Sequence, residues 1–177
     1  LIMSSQLRVD KILPVDGAPT DGGGGIIQVV QATKNDEFST ASTSLTDVTG
    51  MTCTITPKFN TSKILFNFSF NFASERAYPQ VGGSFAIIRT VSGGSATSLT
   101  AGSSGDDDNL IYESNASNVE NLRHVINYQG LDSPTTTNAT TYKLQVSQFV
   151  NSGSAGVVKV CHGGYFTSRI LLMEVSA

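Results

Sequence analysis

The chain has 177 residues, a net charge of -3, 39% hydrophobic residues and only 14% charged ones, with no Trp. An average domain carries about 25% charged residues; the shortfall here is filled by 22 Ser, 19 Thr, 11 Asn and 17 Gly, which give a neutral, hydroxyl-rich surface. With 11 Lys+Arg against 14 Asp+Glu there is no basic footprint for a phosphate backbone, so nucleic acid is excluded as a partner. No apolar run approaches the roughly 18 residues that span a bilayer, and the first residues lack the order of a signal peptide. The expectation is a soluble chain with no membrane partner and no export address, Met3 being the initiator.

Leu7 to Leu13 reads LRVDKIL, and Pro14 to Gly25 then places two Pro and five Gly in twelve residues. That composition forms no packed element. Residues 1–25 are therefore expected to be an extended attachment arm and Gly-rich joint, with Leu7, Val9, Ile12 and Leu13 as its apolar contacts, and residues 26–177 a β-sandwich module. Gly22 to Gly25 is a hinge and not a phosphate loop, because no Lys-Ser/Thr follows and the next element is a strand.

After the joint, short runs with period-two patterning alternate with Ser, Thr, Asn, Gly and Asp clusters. Ile26 to Ala32 is strand-like, and Met51, Cys53 and Ile55 alternate with Thr52, Thr54 and Thr56. The clearest strand runs from Lys63 to Phe72. It carries Ile64, Phe66, Phe68, Phe70 and Phe72 on a core face and Asn67, Ser69 and Asn71 on a polar back, which either faces water or lies in an interface. Ser84 to Val91, Val119 to Gln129, Thr141 to Val150, Val157 to Cys161 and Ser168 to Val175 complete the set, and Ser92 to Leu110 is a long loop with at most a short strand near Ser98. The fold class that follows is all-β: an antiparallel β-sandwich of jelly-roll type, with about eight strands and an extended N-terminal arm.

Catalysis needs a positioned base, nucleophile or metal, and the sequence offers few. His124 shares a strand side with Leu122 and Ile126 and is expected to be an interior or interface histidine; His162, in CHGG, is explained by a turn at Gly163-Gly164. Cys53 and Cys161 lie 108 positions apart without metal-ligand spacing and read as buried thiols, a disulfide being the alternative. Asp106, Asp107 and Asp108 form the one acidic run; they lack the spacing of an EF-hand loop, so a solvated turn is the plainer reading and calcium the other. Asn60, Asn67, Asn115 and Asn138 head N-x-S/T triplets of the kind chance produces in such a composition. Tyr78, Tyr112, Tyr128, Tyr142 and Tyr165 could serve as platforms for a sugar. Neither a cofactor nor an enzymatic activity is expected.

SSQLRVDKILPVDG, the Gly-rich joint and IIQVVQATKNDEFSTASTSLTDVTGMTCTITPKFNTSKILF resemble the C-terminal modules of tail-fibre and related virion proteins of tailed bacteriophages, especially those of aquatic cyanobacteria. LDSPTTTNATTYKLQ (Leu131 to Gln145) and ILLMEVSA (Ile170 to Ala177) are similar to later strands of the same group. The resemblance implies a homotrimeric structural protein on the exterior of a phage particle: a tail or head fibre, or a capsid decoration protein. Its arm would be held by another virion protein. Long fibres carry a larger N-terminal docking region, so a small appendage is favoured. The alternative is a receptor-binding module for a host-surface glycan, met by the loops Ser92 to Leu110 and Glu75 to Gly83.

Overall fold

The computed structural model describes residues 25–75, 81–100, 109–113, 121–149 and 156–176. Residues 1–24, with Leu7, Val9, Ile12 and Leu13 of the expected arm, lie outside them, as do Asp106, Asp107 and Asp108. Among the described residues there are eleven strands and one short 3-10 turn, and no helix is long and apolar enough to cross a membrane.

The strands are β1 (Ile26–Lys34), β2 (Phe38–Thr40), β3 (Thr46–Ile55), β4 (Lys63–Glu75), β5 (Val81–Val91), β6 (Ala96–Ser98), β7 (Leu110–Glu113), β8 (Asn121–Asp132), β9 (Thr140–Gln148), β10 (Val157–Val160) and β11 (Ser168–Val175). Eleven replace the expected eight or so because β2, β6 and β7 are only three or four residues long. That is too short for a period-two pattern to register. All pairings are antiparallel and fall into two sheets, which pack as a sandwich of jelly-roll type.

The first sheet is organised around β4, whose alternation allows it to be central. One side of β4 pairs with β8 over Ile64 to Glu75; the other pairs first with β11 and then with β10, which carry β1 and β2 outward. The second sheet runs β3-β9-β5-β6, with β7 on β5. Ile64, Phe66, Phe68, Phe70 and Phe72 are buried between the sheets with Ile170 and Leu172, facing Met51, Ile55, Ile87, Tyr142, Leu144 and Val146. Each such side chain contributes on the order of 2 kcal/mol of transfer free energy. In β3 the register shifts between Asp47 and Thr52, where Gly50 adopts φ 84°. This bulge changes the inward parity, so that both Val48 and Met51 reach the core.

Two glycines are demanded by close approach. A Cβ on Gly83 would lie 2.5 Å from the Ser147 carbonyl oxygen and 2.5 Å from Val158 Cγ2. Gly130 sits opposite Phe66 in the β4–β8 ladder, and a Cβ there would meet the ring at 2.5 Å. The bare backbone lets Phe66 stack on Tyr128 and Tyr142, with ring centroids 6.3 and 6.1 Å apart. Cys53 and Cys161 are both buried and unbridged, so the thiol reading stands against the disulfide.

Candidate functional site

Among the described residues, the outward face of the first sheet holds a cluster of charged side chains at one end and a row of apolar ones at the other. The residues follow from the register. Ala73 of β4 is opposed by Lys159 of β10 on one side and Arg123 of β8 on the other. Ala73 has too little side chain to separate the two cations, and Glu75, two residues along, projects on the same face. Its carboxylate lies 2.8 Å from Lys159 Nζ and 3.8 Å from Arg123 Nη2. Glu37, from the link between β1 and β2, approaches Lys159 at 3.5 Å and accepts the Gly163 amide at 2.7 Å.

His162 opens the 3-10 turn after β10 and closes this cluster. Its backbone N–H donates to Asn71 Oδ1. Its Nε2 lies 2.9 Å from Arg123 Nη2, and guanidinium only donates, so Nε2 accepts and the ring proton sits on Nδ1. Nδ1 faces Glu37 and Glu75, each at 3.3 Å, without a directed hydrogen bond to either. The Gly163 amide first, then Lys159, hold the Glu37 carboxyl below its ordinary value. Glu75 and then Glu37 hold the Lys159 ammonium above its own.

Two carboxylates therefore meet two permanent cations and a neutral imidazole. The cluster balances its charge internally and ties the β1–β2 link, β4, β8, β10 and the turn together. The turn at Gly163-Gly164 was expected to explain His162, and it does supply the geometry, with φ 66° and 69°. Sequence reasoning missed that it delivers the imidazole to two glutamates lying 125 and 87 positions upstream. His124, expected to be an interior or interface histidine, is exposed, which removes the interior reading, although Leu122 and Ile126 on the same side of β8 are buried and half-buried. Asn67 and Ser69 are half-buried and Asn71 is buried, so the polar back of β4 is covered more deeply than water-facing positions would be. Among the described residues no group of three or more His, Cys, Asp or Glu is arranged to hold a metal ion.

Two further polar centres are built into the sandwich. Asp132 accepts from Arg89 Nη1 at 2.8 Å and from the buried Tyr142 hydroxyl at 2.7 Å, joining the two sheets; burial, then Asp132, pushes the Tyr142 phenol above its ordinary range. Glu174 of β11 is fully buried and accepts from Gln28 Nε2 at 2.6 Å and from the amides of Lys58 and Phe59 at 2.7 and 3.3 Å. Burial alone would raise its carboxyl; the donors outweigh burial and lower it.

At the opposite end of the same outward face, one row of cross-strand partners is entirely apolar. Val29 of β1 is opposed by Met173 of β11, Met173 by Leu65 of β4, and Leu65 by Leu131 of β8. Val29 and Leu131 are 52% and 55% exposed, and the two central residues are half-buried.

No family model matches the chain, and no curated protein sequence matches it. Among solved structures it is similar to a chain in the structure of infectious bursal disease virus Gx strain, with a TM-score of 0.46 and 14% identity over 99% of this chain. The Gt strain structure gives a TM-score of 0.44 and 13% identity over 99% of this chain. The crystal structure of the infectious bursal disease virus VP2 subviral particle gives 0.42 and 12% over 84%. The chain spans 43%, 43% and 39% of the lengths of those three chains.

Proposed function

We propose that the chain is a structural protein of a virus particle, a small trimeric appendage of a tailed bacteriophage exposed on the particle's exterior and held by residues 1–25 on another virion protein. The observation that carries this reading is the division of labour on the outward face of the first sheet. The side chains capable of acid-base chemistry are spent on one another at one end, while Val29, Met173, Leu65 and Leu131 stand outward at the other. An apolar row across four strands suits contact with protein better than contact with a small substrate. Three copies packed through such rows would bury them, and three arms would multiply a weak single attachment. The resemblance to phage tail-fibre modules points the same way.

The test is location. Antibody raised against the purified protein is expected to label the exterior of particles of the virus that encodes it, and the chain is expected among their stoichiometric proteins. Its absence from purified particles would overturn the reading. Particles whose adsorption is blocked by the free protein, together with binding of that protein to host polysaccharide, would make the module a receptor binder.

A further inference from the structure

We propose that β8 is a self-association edge: two copies of the chain pair their β8 strands antiparallel about a twofold axis, with Val125 of each copy opposite Leu131 of the other. The inference is independent of the virion reading. Among the described residues β8 pairs with β4 alone, along its whole length, so its second edge presents the backbone donors and acceptors of a twelve-residue strand. Sheets guard such edges with Lys, Pro, inward charges or a bulge. The stretch His124 to Leu131 has no Lys, Arg, Asp, Glu or Pro, and its ladder to β4 runs without a register shift.

A second copy is the occupant that the strand's own pattern fits. Charge sits only at its ends, Arg123 at one and Asp132 at the other, and an antiparallel partner keeps like charges at opposite ends of the pair where a parallel one would stack like on like. Cross-strand partners share a face, so a twofold axis perpendicular to the sheet opposes odd residues to odd and even to even. The two exposed apolar side chains of β8, Val125 at 63% and Leu131 at 55%, are both odd and six positions apart. One register opposes them, the one that sets Tyr128 against its own copy. It also places His124 opposite Asp132 and bulky Ile126 opposite Gly130, which has no side chain to obstruct it. The Val125–Leu131 pair then forms twice, and each apolar row continues through Leu131 into the partner's Val125. This contact is isologous and joins copies two at a time along the strand edge, sharing only Leu131 with the apolar row on the outward face.

The experiment uses cysteines at the exposed residues between those pairs. In this register Asn127 opposes Gln129 of the other copy, within the Cα separation that a disulfide bridges, whereas two residues 127 are offset by two positions and lie about 8 Å apart. Full-length N127C mixed with full-length Q129C is expected to form a disulfide-linked dimer under mild oxidation, and neither variant alone is; the native Cys53 and Cys161 are buried. In parallel, the double variant V125K/L131K, altered only at exposed positions, is expected to show at most half the native mass of the unaltered protein with an unchanged far-UV circular dichroism spectrum. Either cysteine variant cross-linking alone as fast as the mixture would overturn the register. Absence of the mixed dimer at about 100 µM, or equal native masses for the double variant and the unaltered protein, would overturn the edge itself.

Discussion

Replacing Glu174 by Ala tests whether the buried carboxylate is what fastens the loop between β3 and β4 to the last strand. In the intact chain its Oε1 takes the Lys58 and Phe59 amides and its Oε2 takes Gln28 Nε2, which also donates to the Thr56 carbonyl at 2.7 Å. Alanine leaves the Lys58 amide without its 2.7 Å acceptor. The Lys58 and Phe59 amides are part-buried and can turn to water, so the loss is that of the hydrogen bonds to a charged group, each worth about 1.5–3 kcal/mol. Gln28 recovers part of its loss through water, and removing a buried charge returns some desolvation free energy, so the net loss is about 3 kcal/mol. For a domain of this size that lowers Tm by about 6–12 °C. Glutamine at the same position keeps one acceptor for the amides but sets a second NH2 against Gln28, and should cost about 1–2 kcal/mol. Urea unfolding of the three proteins measures the order directly. An Ala variant within 1 kcal/mol of the unaltered protein, or a Gln variant less stable than the Ala one, would refute the reasoning.

Three other outcomes follow from the same packing. Gly83→Ala must displace the Ser147 carbonyl, Val158 or Phe72 and should cost about 3 kcal/mol or more in urea unfolding, well above what an exposed glycine would show. Cys53 and Cys161 should react with a thiol reagent only after denaturation, with burial holding the Cys53 thiol above its ordinary pKa; a thiol that reacts within minutes in the native state, or only in reduced denatured protein, would contradict the structure. The carboxyls of Glu37, Asp47 and Glu174 titrate below their ordinary values of 4.5, 3.8 and 4.5, so the folded chain binds fewer protons than the unfolded one in that range. Their stabilisation is whole above about pH 4.5 and is lost as pH falls through the depressed values, so the urea midpoint should be level near neutrality and drop below pH 4.5. A midpoint that rises on acidification would contradict it.

What could be read from the sequence was whatever repeats with period two along a single strand. Ile64 to Phe72 alternate so regularly that their face follows from spacing alone, and Met51, Cys53 and Ile55 do the same beyond the bulge. The outward features could not be read that way, because they run across strands. Val29, Leu65, Leu131 and Met173 each look like a stray apolar residue on a polar face, and only the register of three ladders aligns them. The ionic cluster draws on positions 37, 75, 123, 159 and 162, which no local pattern connects. Glu174 did leave a trace: it takes the core parity of Ile170 and Leu172, a carboxylate where a hydrophobe belongs, though its partners lie more than a hundred residues away.

The apolar row and the open β8 edge on the first sheet both require that the chain associate with itself. Sedimentation equilibrium of the full-length protein from about 1 to 100 µM should therefore give a mass several times that of the 18.7 kDa chain at the upper end, reduced by V125K/L131K. A mass equal to a single chain across the whole range would contradict it.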